Sequence, residues 1–146
     1  MIGMEILKPV VALLAWTMVM WVWMYATRIP AMTKAGIDAK NLVGGEGSSL
    51  RALLPDNVSW KADNYNHLHE APTLFYAVAL VLAITGTGDG LNTTIAWAYV
   101  ALRVLHSIVQ ATWNRVAVRF ALFALSSLAL MALILHAGIA VFHAQG

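Results

Sequence analysis

The chain contains no cysteine. That excludes a disulfide, a thiolate metal site and a protein thiol nucleophile, so any thiol chemistry must bring its sulfur from outside. Charge is also scarce. Only 11% of residues are charged, where a soluble domain of this size carries about 25%. The formal charge of +2 comes with no basic tail or cluster, which argues against a nucleic-acid partner. No small-x-small cleavage site precedes Arg28. The apolar run before it is too long for a cleaved signal, so that run reads as a first span. Internal repeats and low-complexity tracts are absent from the sequence.

What the chain has in quantity is apolar side chain: 60% of residues are hydrophobic and the mean hydropathy is +0.71. Its 146 residues suit a single domain over 1–146. Apolar segments cover approximately 9–27, 70–88, 91–113 and 119–142, each close to the roughly 20 residues needed to cross the hydrocarbon core. The expected fold is all-α: a polytopic membrane protein, a four-transmembrane-helix bundle. Pro9 suits a first helical turn. Trp21, Trp23 and Tyr25 crowd the far end of the first segment, where amphipathic aromatics favour the interface. Residues 28–69 read as a long polar connection, flexible at 44–49, turning at Pro55-Asp56-Asn57, with Asp63 available to cap the next helix. This connection holds Arg28, Lys34, Lys40, Arg51 and Lys61. Arg115 lies in the last connection with Arg119 beside it, and the opposite side has only Lys8. The positive-inside rule then places 28–69 in the cytoplasm and both termini on the other side.

Candidate chemistry concentrates in 101–122. Arg103 interrupts an apolar segment, and His106, Ser107, Gln110 and Asn114 follow it at spacings of three, four, seven and eleven, which is one helical face. Such a stripe is either glue between helices or a site, because an intramembrane arginine is paired, faces a cavity or binds an anion. Both readings stand for Arg103. A satisfied packing histidine is the plainer one for His106. Glu70 lies near the cytoplasmic end of the second segment, and His67 and Thr73 share its face. A direct Glu70–Arg103 pair is strained, since counting about 1.5 Å per residue sets the two roughly 9 Å apart in depth. Arg115 and Arg119 lie at the cytoplasmic boundary. Snorkelling to headgroups is the plainer role for Arg115, and a functional role weighs equally for Arg119. No metal site is expected: His67 and His69 are two residues apart, do not share a helical face, and would need Glu70 as a third ligand.

Taken together, the four spans, the stretch NHLHEAPTLFY at 66–76, LRVLHS at 102–107 and NRVAVRF at 114–120 resemble the MAPEG family, membrane-associated proteins in eicosanoid and glutathione metabolism. The likeness covers most of the chain from about Tyr65 onward. It is nearest to bacterial members, which carry a Glu-x-Pro and an aromatic pair as in Glu70, Pro72, Phe75 and Tyr76. The resemblance implies a homotrimer, an inner-membrane location, and glutathione bound between subunits from the cytoplasmic side. It assigns glutathione binding to Glu70, Arg103 and His106, with His67, Asn66 and Arg115 beside them, and the catalytic role to Arg119. A nearby guanidinium lowers a thiol's pKa and stabilises the thiolate. The chain departs from the family pattern at His67, where asparagine is usual, at 116–118, which lacks a proline found in some members, and at Phe120, where some enzymes have serine.

The function implied is a glutathione-dependent transferase or peroxidase acting on lipophilic electrophiles in the membrane. The alternative is a catalytically silent membrane scaffold or complex subunit with the same fold. A solute path along Glu70, His106 and Arg103 is weaker, because the sequence shows none of the repeats or matched helix breaks of a transporter.

Overall fold

The structure, a computed structural model, describes residues 2–36 and 53–143. A short 3-10 turn, Met4–Ile6, leads into α1 (Leu7–Lys34), followed by α2 (Asp56–His67), α3 (Ala71–Ile84), α4 (Leu91–Thr112) and α5 (Val116–His143). α2 and α3 follow one another as a single interrupted rod, Asp56–Ile84, so the architecture is a four-helix membrane bundle. Among the described residues three stretches are long and apolar enough to cross a membrane: Met4–Lys34, Asp56–Ile84 and Val116–His143. α4 has 22 residues, about 33 Å of helix, and is long enough. Arg103, His106, Ser107 and Gln110 dilute its apolar character, and all of them are buried. The bundle's outer surface is apolar instead, with Val11, Leu14, Met18 and Val22 on α1 and Leu125, Leu128, Met131 and Leu135 on α5 exposed. A belt of this kind is stable only against lipid or another apolar surface.

The core runs through Ile6, Leu13, Met20, Leu68, Phe75, Leu82, Tyr99 and Leu133. Phe75 on α3 stacks on Tyr99 of α4, with ring centroids 4.6 Å apart and planes at 17°. Both ends of the expected connection over 28–69 are helical. α1 continues through Pro30 to Lys34, and α2 occupies Asp56–His67. Leu54, Val58 and Ala62, four residues apart, form a buried stripe, and α2 packs on α1 and α4. The polar residues around this stripe conceal it in the sequence. Asp63 lies inside α2. The N-cap position of α3 belongs to Glu70, whose side chain makes no capping bond. The expected flexible stretch 44–49, with Lys40 and Arg51, lies outside the described residues.

The interruption at 68–70 has a local cause. Pro72 sits in the first turn of α3. It has no N–H to donate, and its ring would collide with the carbonyl of Leu68 if α2 ran straight through. Glu70 takes up the change of direction with φ −93° and ψ −98°. At the far end of α3 the chain is tied tightly. Gly3 N–H donates to the Ala83 carbonyl at 2.8 Å, and Glu5 N–H to Asp89 Oδ1 at 3.1 Å. Gly3 and Gly88 meet backbone to backbone, because a Cβ on Gly88 would lie 2.5 Å from the Gly3 carbonyl oxygen. Asn92 Nδ2 donates to the Thr87 carbonyl at 2.7 Å, and Asn92 Oδ1 lies 2.6 Å from His136 Nδ1. An amide oxygen only accepts, so His136 carries its proton on Nδ1. These bonds bring the start of the chain and the last third of α5 to the same end of the bundle.

At the opposite end α4 turns into α5 over 113–115. Asn114 has φ 53° and donates its N–H to the Val109 carbonyl at 2.6 Å. Asparagine is among the few non-glycine residues that adopt this left-handed conformation readily. The turn is tight enough to lay α5 back along α4, its main packing partner.

Candidate functional site

α4 presents Arg103 and His106 to the interior one turn apart, and the Asn114 turn returns Arg119 to them in the first turns of α5. The break at 68–70 delivers His67 and Glu70 from the other side. His67, Glu70, Arg103, His106 and Arg119 thereby line one cavity of about 250 Å³, together with Ala71, Val116, Phe120 and Phe123. The cavity therefore gathers five of the seven residues singled out from sequence. Asn66 is exposed on α2 and lies outside it. So does Arg115, whose guanidinium carbon sits 5.0 Å over the Trp113 ring, an interfacial cation–π contact.

The polar wall is short of partners. Arg103 is 2% exposed, and its Nη2 donates to the His67 carbonyl at 3.4 Å while its Nε has no partner. His106 is buried with Nδ1 unpartnered, and the Nε of the half-buried Arg119 is also unpartnered. No salt bridge forms between Glu70 and Arg103. The guanidinium reaches the carbonyl that ends α2 instead. Arg103 still interacts electrostatically with Glu70, and His106 with Arg119 and His67. The charge balance is one carboxylate against two guanidiniums and two imidazoles. A concave, partly desolvated site of that composition favours an anion, and arginine binds carboxylates in particular.

The other wall is apolar. Val116, Phe120 and Phe123 flank Arg119 along α5 and are themselves exposed on the side of the bundle, so the cavity lies open to whatever surrounds α5. Sequence reasoning did not place this wall, because Phe120 and Phe123 join the site only through the angle set by the turn at Asn114. It also missed Asn64, which is fully buried and accepts a 2.9 Å hydrogen bond on Oδ1 from Ser107 Oγ. The available signal was position: Asn64 stands one helical turn before His67, which matters only once that stretch is known to be helix. Among the described residues no group of three or more His, Asp or Glu is placed to hold a metal ion. His69 faces Tyr65 instead, with Nδ1 2.9 Å from its carbonyl oxygen.

Neither a curated protein nor a solved structure matches the chain. A family model does, over residues 6–139. That match spans the bundle and every residue of the cavity, and by it the chain belongs to the MAPEG family, membrane proteins of eicosanoid and glutathione metabolism.

Proposed function

We propose that the protein is a glutathione-dependent transferase or peroxidase acting on lipophilic electrophiles. The observation that carries this reading is the cavity itself, which sets cationic groups with unpartnered N–H donors opposite an apolar wall open to the side of the bundle. Glutathione would supply the thiol that the chain lacks. Arg103 and Arg119 offer donors for its two carboxylates and its sulfur. Glu70 offers an acceptor for its ammonium group. Arg119, nearest the mouth on α5, is assigned the stabilisation of the thiolate, because a guanidinium beside a thiol favours the ionised form. An acceptor dissolved in the bilayer reaches the same point along Val116, Phe120 and Phe123. The polar half therefore excludes the lipid substrate and the apolar half excludes water.

At about 250 Å³ the cavity of one chain lies below the roughly 300–1,000 Å³ usual for ligand sites. That supports a second subunit as a missing wall, and with it a homotrimer. The charges of the long connection between α1 and α2 support an orientation with that end of the bundle in the cytoplasm and both termini outside. The test is calorimetric titration of glutathione into detergent-solubilised protein, with thiolate absorbance and conjugation to an aryl halide read in parallel. Absence of both binding and thiolate absorbance in the wild type sinks the enzyme reading. The second reading is a catalytically silent scaffold, and the Arg103–His67 carbonyl bond favours it, because it gives Arg103 a structural task. Arg103→Leu separates the two. It weakens glutathione binding with the fold intact in the first case, and lowers thermal stability with nothing to bind in the second.

A further inference from the structure

α2 is a short helix of 12 residues, cut off from α3 by the break at 68–70. It nevertheless carries His67 and leads directly to Glu70. Something must set its register against α4, or both groups would wander relative to Arg103 and His106. α2 packs on both α1 and α4, with Val58 and Ala62 buried. Toward α4 the seam includes polar contacts. Asn64 and Ser107 are each fully buried and joined at 2.9 Å, and Gln110, one turn further along α4, is 2% exposed with its Oε1 unpartnered. One turn the other way, Arg103 donates to the His67 carbonyl at 3.4 Å.

The use of the Ser107 hydroxyl is unusual for this molecule. Thr17, Thr27, Thr112 and Ser126 all return their hydroxyl protons to carbonyls of their own helix, as such residues commonly do. Ser107 crosses to another helix. A buried polar contact of this kind adds little net stability compared with apolar packing, because desolvation offsets most of the hydrogen bond. What it supplies is uniqueness of register: apolar surfaces slide past one another, whereas a buried donor off its acceptor is left unsatisfied.

We infer that the Asn64–Ser107 contact is a positioning device. Asn64 acts through α2 to fix His67 and Glu70 against the cationic face of α4, and touches no ligand itself. The inference deepens the glutathione reading and rests on it for affinity, while its geometric part stands alone. The absence of native cysteine makes the test clean. Cysteines placed at the exposed positions Asn57 on α2 and Ile108 on α4 carry spin labels, diluted into unlabelled protein. The distance distribution is compared in wild type, Ser107→Ala, Ser107→Thr and the apolar pair Asn64→Leu with Ser107→Val. The expected result is a narrow distribution in wild type that broadens in Ser107→Ala and in the apolar pair. The apolar pair should melt near wild type and Ser107→Ala below it, because that change alone strands the buried Asn64 Oδ1, and glutathione Kd should rise about tenfold in both. Ser107→Thr, which keeps the hydroxyl, restores both the distribution and the affinity. A distribution as narrow as wild type in Ser107→Ala overturns the inference. Should the apolar pair fail to fold, Ser107→Ala alone decides. Wild-type protein that binds no glutathione ends the functional reading, and the distance measurement then still tests the seam.

Discussion

The two ends of the bundle are built on opposite principles. At the end that carries the termini, backbone and side-chain polar groups find partners: Gly3 with Ala83, Glu5 with Asp89, Asn92 with Thr87 and His136. At the other end, Arg103 Nε, His106 Nδ1 and Arg119 Nε are buried or half-buried atoms without one. Leaving a buried polar atom unsatisfied costs about 1–3 kcal/mol. The second end therefore holds a reservoir of unmet hydrogen bonding that only a ligand of the right charge can use. The groups bonded together at the first end are used up by one another and have little to offer a ligand. If the cavity is the site proposed above, mutations at the two ends should sort into effects on stability and effects on binding.

Arg119→Leu is the largest expected effect at the unsatisfied end. Loss of a donor aimed at developing negative charge lowers turnover about 10²–10³-fold. Thermal stability should stay unchanged or rise, because the change removes an orphaned polar atom. A conjugation assay paired with a melting curve checks it, and full turnover in the variant defeats the assignment. At the saturated end the corresponding break is Gly88→Val. Its Cβ would meet the Gly3 carbonyl oxygen at 2.5 Å and the Ala83 backbone at 3.2 Å, so overpacking should destabilise by about 1–3 kcal/mol. Glutathione affinity in the folded fraction should remain at the wild-type level. Asn92→Leu removes the bonds to Thr87 and His136 together, costing roughly 1–2 kcal/mol; denaturation in mixed micelles measures it, and activity below the melting transition should not change. Asn114→Ala holds φ 53° without the short polar side chain that eases asparagine into the left-handed region, and costs about 1 kcal/mol. It should also loosen the approach of Arg119 to His106, so KM should rise more than kcat falls. Asn114→Gly should be silent in both. Arg115→Ala is the smallest. It gives up an exposed stacking contact with Trp113 of roughly 0.5–1 kcal/mol, with glutathione affinity unmoved. A tenfold loss of affinity there would bring Arg115 back into the site.

How much of this was legible depends on the kind of signal. Arg103, His106, Ser107 and Gln110 share a face by spacing alone, and the structure buries all four. Helical periodicity survives in sequence, because it needs no partner to be visible. α2 was not legible for the opposite reason. Its apolar positions Val58 and Ala62 sit among aspartates and asparagines, and they are buried only once α2 packs on its neighbours. The cavity was half legible. Its cations were marked by their cost in an apolar segment. Phe120 and Phe123 were not, since aromatics on a membrane helix carry no signal until a turn angle aims them. Asp63 shows the same limit: a good cap by type, it falls in mid-helix because tertiary packing, not local chemistry, sets where α2 ends.

The Asn114 turn has a consequence for how the protein enters its membrane. α4 alone is a poor passenger. An arginine near the centre of a helix costs about 2.5–3.5 kcal/mol to insert, and Gln110 and His106 add to that. α5 is the most apolar of the three long spans. With only 113–115 between them, α4 cannot wait far from α5 during synthesis. The two form a helical hairpin in which the apolar surplus of α5 offsets the polar deficit of α4, and the polar stripe is covered by its neighbour instead of facing lipid. A longer, looser turn would uncouple them. Biogenesis thus depends on the same tight connection that aims Arg119 at the cavity.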